Sequence, residues 1–231
     1  LEEREAQYPE YYDPNSLTLR VGSDVSNTFP QVFHRYAMMS LSNTYSEQEI
    51  TDFDERVRKG VGEAAVTYVC ELKYDVSSIS LHYLDGKLDV AVTRGDGEKG
   101  DDVTANIRTI RTIPLYLQGK DFPGELEIRG EILMPFAVFN ILNEERQELG
   151  EALFANPRNA AAGTLKLQNS TVVAQRHLDC YLYNIPAEIS PTDTHYGNLM
   201  KAREWGFNVP SSVALCSSLK EVFDFIHYWD I

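Results

Sequence analysis

Ser77-Ser78-Ile79-Ser80-Leu81-His82-Tyr83-Leu84-Asp85-Gly86-Lys87-Leu88-Asp89-Val90-Ala91-Val92-Thr93 is the stretch on which the fold reading turns. A period of two marks half-buried strands over Ser77–Leu84 and Lys87–Thr93. Asp85-Gly86 between them is a two-residue hairpin signal, because both residues tolerate the positive φ that such a turn requires. The same period upstream predicts a third strand over Val66–Asp75. Before it, Ser46 and Glu49 form a capping-box pattern. That pattern opens a helix to about Lys59, with Ile50, Phe53 and Val57 on one face. Residues 1–30, rich in Tyr, Pro, Asp and Asn, read as an extended or turn-bearing lead-in.

Downstream of the hairpin, a polar glycine-rich loop, Arg94–Asp102, leads into a short helix ending near Arg111. Leu126–Met134 is predicted as a strand and Pro135–Leu149 as a helix, with Pro135 tolerated in its first turn. Phe154–Leu167 lacks clear periodicity. A strand over Leu178–Ile185 and helices near 193–205 and 217–230 complete the chain. Hairpins dominate and strand–helix–strand alternation is absent, so the expected class is α+β with antiparallel sheets.

The chain has 231 residues, 43 % hydrophobic and 24 % charged, an ordinary globular balance long enough for a sizeable core. Its formal net charge of −14 repels phosphate backbones and argues against a self-sufficient nucleic-acid-binding module. Cys70, Cys180 and Cys216 form no CxxC pair, which fits reduced thiols in a cytoplasmic protein and offers no zinc site. No apolar run is long enough to span a bilayer, so no membrane partner is expected. The chain opens on Leu1 and closes on a segment still reading as an amphipathic helix, and both ends are expected to be cuts.

Chemistry-bearing residues gather in four places. In Cys70-Glu71-Leu72-Lys73-Tyr74-Asp75, a strand would point Glu71, Lys73 and Asp75 to one face. Taken alone, that is an exposed polar face with the lysine neutralised between carboxylates. Thr93-Arg94-Gly95-Asp96-Gly97-Glu98-Lys99-Gly100 lacks Walker spacing and the calcium-loop glycine, and by itself reads as a flexible turn. Ile128-Arg129-Gly130-Glu131 sets a carboxylate in an apolar strand, where Arg129, Lys73 or a ligand must pair it. Asn156-Pro157-Arg158-Asn159-Ala160-Ala161-Ala162-Gly163 is rich in small residues that let backbone approach something closely.

In this order the four segments resemble those of the bacterial NAD⁺-dependent DNA ligases. The likeness extends from Pro9-Glu10 and Arg20-Val21-Gly22, through Met39-Ser40-Leu41, to Trp205-Gly206-Phe207. It implies a nucleotidyltransferase fold of the DNA ligase and mRNA-capping superfamily, truncated, with residues 31–231 as an adenylation domain incomplete at its C-terminus. Residues 1–30 would then be a lead-in from the N-terminal subdomain that recognises nicotinamide mononucleotide (NMN).

The resemblance implies a role for each matching residue. Lys73 is the nucleophile that attacks the α-phosphate of NAD⁺ and expels NMN, and Asp75 is the carboxylate that contacts ribose or positions that chemistry. Glu71 recognises adenine. Ser40 and Leu41 line the nucleotide edge, Arg94 and Glu131 contact the nucleotide and its ribose, and Tyr183 stacks on adenine. Arg158 and Lys166 contact phosphate or DNA. The implied cofactors are NAD⁺ and Mg²⁺, with Zn²⁺ confined to a zinc-finger module that this chain lacks, and no metal ligand is assigned here. The implied partners are NAD⁺ or AMP and, through the complete enzyme, nicked duplex DNA; the chain is expected to be a monomer.

Three departures stand out. Val76 occupies the glycine position of Lys-x-Asp-Gly, where glycine either adopts a conformation closed to a β-branched residue or makes room for the nucleotide. Lys166 stands where many relatives carry arginine, and the later lysine-bearing motifs are missing. The isolated chain is therefore expected not to seal nicks. Two alternatives remain at this stage: a catalytically impaired nucleotide- or protein-binding module, and an ATP-dependent nucleotidyltransferase.

Overall fold

The Asp85-Gly86 turn is built as its chemistry requires, with φ of 46° and 75° at the two residues, and it joins β3 (Ser77–Leu84) to β4 (Lys87–Thr93). The computed structural model describes residues 29–230. They fall into two units. The larger comprises the described residues up to Met38 with Tyr74–Val209, and the smaller Met39–Lys73 with the residues from Pro210. Both units are mixed α and β with antiparallel pairing throughout.

In the larger unit β6 (Glu125–Leu133) and β7 (Asp179–Asn184) extend the hairpin into a four-stranded sheet of order β4-β3-β6-β7. Strand alternation sorts its two faces. Ile79, Leu81 and Tyr83 share one face with Ile128, Ile132, Cys180 and Leu182, and all are at most 1 % exposed. The opposite face is polar, because the register sets Ser78 against Glu131, Ser80 against Arg129 and His82 against Glu127.

Helices pack on these strands: α2 (Thr104–Ile107) on β4, α4 (Pro157–Leu165) on β6 and β3, and α6 (His195–Glu204) on β7. Between α2 and α4 lies α3 (Phe136–Glu148), and after α4 comes α5 (Ser170–Gln175). Ala160, Ala161 and Leu165 of α4 are wholly buried, which explains the small residues there. Asn106 ties α2 to the end of α4 by donating from Nδ2 to the carbonyls of Leu165 and Leu167, at 2.7 and 2.8 Å. A two-stranded ladder of β1 (Gln31–Phe33) with β5 (Lys99–Asp101) borders the glycine-rich loop.

The smaller unit pairs β2 (Tyr68–Cys70) with β8 (Ala214–Cys216) and adds α1 (Glu47–Val61) and α7 (Leu219–Trp229). Both helices open on a reciprocal cap. Ser46 accepts from the Glu49 amide while Glu49 accepts from that of Tyr45; Ser218, Glu221 and Ser217 repeat the arrangement. On α1, Asp54 is 6 % exposed and accepts from Arg58 Nε at 2.9 Å and from Tyr68 Oη at 2.6 Å. These bonds, the Arg58 guanidinium first, hold its carboxyl below the usual carboxylate range. A depressed folded pKa gives stability above the unfolded value of about 3.9, lost as pH falls through the folded pKa. Asp54→Asn is therefore expected to lower the melting temperature at pH 7, with the deficit shrinking as the pH falls below the unfolded value and closing once it passes the folded one. A pH-independent deficit in thermal scans would assign the loss to packing instead.

Most expected elements are present, with two corrections. The strand expected over Val66–Asp75 is only Tyr68–Cys70, because β8 offers three partners, so Glu71, Lys73 and Asp75 do not share a strand face. Phe154–Leu167, read as aperiodic, contains α4. The lead-in assigned to residues 1–30, with its Pro9-Glu10 and Arg20-Val21-Gly22 motifs, lies outside the described residues apart from 29 and 30. Among the described residues no helix is long and apolar enough to cross a membrane.

Candidate functional site

The polar face of the four-stranded sheet gathers three of the residues singled out in the sequence. Glu131 on β6 accepts from Ser78 Oγ on β3 at 2.5 Å. Tyr183 on β7 is half-buried, and burial, then the Glu131 charge, pushes its phenol up. Arg94 follows β4 directly and is exposed, its amide bonded to the Ser78 carbonyl at 3.2 Å. Ser78 thus joins strand β3 to both Glu131 and the Arg94 loop, a role that sequence spacing did not signal.

The loop after Arg94 is braced by its own backbone. Asp96 Oδ1 accepts from the amides of Glu98 and Lys99, both at 2.9 Å, and these bonds draw its carboxyl down from the usual range. Gly95 and Gly97 have positive φ, 57° and 97°. Gly100 is required for a different reason: a Cβ there would lie 1.7 Å from the Thr93 carbonyl oxygen. Gly100→Ala must move backbone, and is expected to cost about 2–3 kcal/mol. Urea unfolding with less than about 0.5 kcal/mol lost would show that the loop can yield.

Arg129 does not pair Glu131, contrary to one of the expected options. Its guanidinium holds Glu127 instead, at 2.9 Å, and donates to the carbonyls of Tyr36 and Ala37 at 2.7 and 3.2 Å. Glu127 is 2 % exposed, so the costly buried carboxylate of this strand is Glu127; the arginine beside it bonds Oε1, while Oε2 is buried without a hydrogen-bond partner. Residues 34–38 are thereby fastened along the sheet, with His34 and Met38 amides bonded to Glu98 and Gly97.

Arg158 sits in the first turn of α4, which Asn156 caps by accepting from the Asn159 amide at 2.8 Å. Its Nη1 is 2.9 Å from Asp75 Oδ2, both side chains being largely exposed. Lys166, just past the same helix, lies 3.0 Å from Asp101 of β5. The two expected phosphate-contacting cations thus flank one short helix, Arg158 in its first turn and Lys166 at its C-cap, and the Pro157 after the N-cap explains why it starts where it does.

The remaining residues lie in the smaller unit. Lys73 and Glu71 follow β2 in irregular backbone, Lys73 exposed and Glu71 half-buried. Ser40 and Leu41 are exposed in the segment before α1. The boundary between the units falls between Lys73 and Tyr74, so Asp75, Arg94, Glu131, Arg158, Lys166 and Tyr183 belong to the larger unit. Val76 does not have positive φ. The conformational reason for a glycine at that position therefore does not apply to this chain, which leaves only the question of space.

Among the described residues no group of three or more His, Cys, Asp or Glu side chains is arranged to hold a metal ion. Mg²⁺ is ordinarily held by one or two carboxylates together with nucleotide phosphates and water. The exposed Asp75 carboxylate suits that mode, and a cage built wholly from protein does not.

The family model described as the NAD-dependent DNA ligase adenylation domain matches residues 26–231. A protein named DNA ligase from Bacteroides fragilis is 59 % identical over all 231 residues, which cover 35 % of its length. Namesakes from Parabacteroides distasonis and Porphyromonas gingivalis are 57 % and 53 % identical, with 35 % and 34 % of their lengths covered. The chain thus spans about a third of the length of these relatives. With the match running through the Lys73 segment, the Arg94 loop, the Glu131 strand and the α4 cap, this chain belongs to the NAD-dependent DNA ligase adenylation domain family.

Proposed function

We propose that Lys73 is the adenylation nucleophile and that the chain carries the adenylating half-reaction of a DNA ligase in the nucleotidyltransferase superfamily. The Lys73 Nζ lone pair attacks the α-phosphorus of NAD⁺, a phosphorus–nitrogen bond forms, and the bond to NMN breaks. Arg94 and Glu131 hold the nucleotide and its ribose, Glu71 accepts from the adenine amine, and Tyr183 offers a ring face for stacking. Ser40 and Leu41 border the nucleotide. Asp75 would hold Mg²⁺ with the nucleotide phosphates. When bound, that ion takes up charge from the phosphoryl oxygens. Arg158 and Lys166 serve phosphate or DNA, with Lys166 acting as a point charge in place of a bidentate guanidinium.

The observation that carries this reading is the family match over residues 26–231, which includes Lys73. Within the complete protein the AMP passes to a 5′-phosphate at a nick in duplex DNA, and the 3′-hydroxyl then seals it, in replication and repair in the bacterial cytoplasm. Residues 31–231 act as the adenylation domain and the preceding residues as the approach from the NMN-binding side. The chain alone does not seal nicks, in keeping with a charge of −14 that leaves the grip on DNA to other modules.

The test is to incubate the full-length protein with Mg²⁺ and either NAD⁺ or ATP, and to map the adenylated peptide by mass spectrometry. AMP on Lys73 from NAD⁺ alone is the expected result. Adenylation from ATP would favour the ATP-dependent alternative. No adduct until Val76→Gly is introduced would favour an impaired nucleotide-binding module.

A further inference from the structure

Cys70 and Cys216 have no part in the nucleotide chemistry above, yet their Sγ atoms lie 3.7 Å apart. They stand on β2 and β8, where the register sets Cys70 against Ala214 and Tyr68 against Cys216, so the thiols are diagonal neighbours across the ladder. Cys216 is 3 % exposed, whereas Cys70 is half-buried and within reach of a small oxidant. The third cysteine, Cys180, is wholly buried on β7 of the other unit and serves as an internal control.

We propose that Cys70 and Cys216 form a redox modification site, which hydrogen peroxide closes into a disulfide crosslinking β2 to β8 directly ahead of the Lys73 segment. The Cys70 thiolate attacks one peroxide oxygen, the O–O bond breaks, and a sulfenic acid and one water result. Cys216 sulfur then attacks the sulfenyl sulfur; the S–S bond forms, the S–O bond breaks, and a second water leaves. Two thiols lose two electrons and two protons, and the peroxide is reduced. The sulfurs need to approach from 3.7 Å to a bonded separation of about 2.05 Å, and the strands that carry them are already paired.

Two features set the behaviour of the site. Burial, then the neighbouring Cys216 thiol, pushes the Cys70 thiol up to about 12, so thiolate is scarce at neutral pH. Closure is therefore slow at pH 7 and quickens about tenfold for each pH unit above it, since only the thiolate attacks. The ladder of β2 ends at Cys70, and Glu71-Leu72-Lys73 continues without strand pairing. A covalent tie at the last paired residue restrains that segment at its root. Its bearing on adenylation rests on the proposed role of Lys73; the crosslink itself does not.

The chain as it stands is treated with hydrogen peroxide at pH 7 and pH 9, free thiols are alkylated, and the unreduced digest is mapped by mass spectrometry. The expected product is a Cys70–Cys216 peptide pair lighter by two hydrogens, formed faster at pH 9 and reopened by dithiothreitol. Cys180 should be alkylated only after unfolding. Amide exchange at Glu71–Lys73 should slow several-fold in the oxidised form. In Cys216→Ser, Cys70 should stop at a sulfenic acid that dimedone traps. Cys70 reaching sulfinic acid while Cys216 stays alkylatable would overturn the proposal. So would a crosslink to Cys180, or a folded chain in which no Cys70–Cys216 pair forms at either pH. None of these readouts requires NAD⁺ or DNA, so a failure of the adenylation reading is separately visible.

Discussion

Lys73→Ala in the full-length protein is expected to abolish the covalent AMP adduct, reducing its formation by at least about a thousandfold while leaving the fold intact. The fold is indifferent because Lys73 is exposed and outside the β2 ladder, so truncating it removes no buried contact. Lys73→Arg should fail as completely, since a guanidinium does not give up its proton at neutral pH and cannot offer a lone pair. NAD⁺ radiolabelled in its adenylate half, with the label retained on the protein counted after denaturing gel electrophoresis, provides the measurement. An adduct retained at more than a few per cent of the parent level would sink the assignment, and its mapped position would name the true nucleophile.

The second large effect concerns stability. Trp205 follows α6, is 0 % exposed, donates from Nε1 to Asp121 Oδ1 at 3.4 Å, and returns its carbonyl to the Gln118 amide at 3.0 Å. Two residues on, Phe207 meets Tyr83 of β3 edge-on, with ring centroids 5.4 Å apart. Trp205→Ala leaves a cavity the size of an indole beside this packing and is expected to cost about 3–5 kcal/mol. Urea titration followed by far-UV circular dichroism is the appropriate reading, since the substitution also removes a fluorophore. A loss under about 1 kcal/mol would mean that the surrounding side chains collapse into the space.

How far the sequence could be read depended on how local the determining physics is. The β3–β4 hairpin was legible because Asp85-Gly86 sets its turn and alternation sets its faces, both within seventeen residues (77–93). The reciprocal caps at Ser46 and Ser218 mark helix starts in the same local way. The extent of β2 was not legible, because it is fixed by β8 more than a hundred residues away, which has only three residues to offer. Helix α4 was missed for want of an apolar period: its buried residues are alanines, and periodicity methods weigh them little. The Asn156-Pro157 pair did announce it, as an N-cap followed by proline in the first helical turn.

The candidate site divides along the same line. Residue identities at Lys73, Arg94, Glu131 and Arg158 came from motif resemblance and not from periodicity. Sequence could not foresee that Arg129 would serve Glu127 and the Tyr36 and Ala37 carbonyls, nor that Ser78 would reach Glu131, since both depend on strand register.

The attachment of residues 31–38 has a kinetic consequence. Strand β1 meets its partner β5 across a separation of nearly seventy residues, and the Arg129 guanidinium that grips Tyr36 and Ala37 is aimed only after β6 has joined β3. Such a segment cannot nucleate anything; it can only be acquired late, once the sheet offers a surface. By the same reasoning it should be surrendered early. Its amides should open through fluctuations of low free energy while those of Ile79, Leu81 and Ile128 exchange only through global unfolding. The edge of the Arg94 loop would then be the first part of the larger unit to come undone and the last to be made.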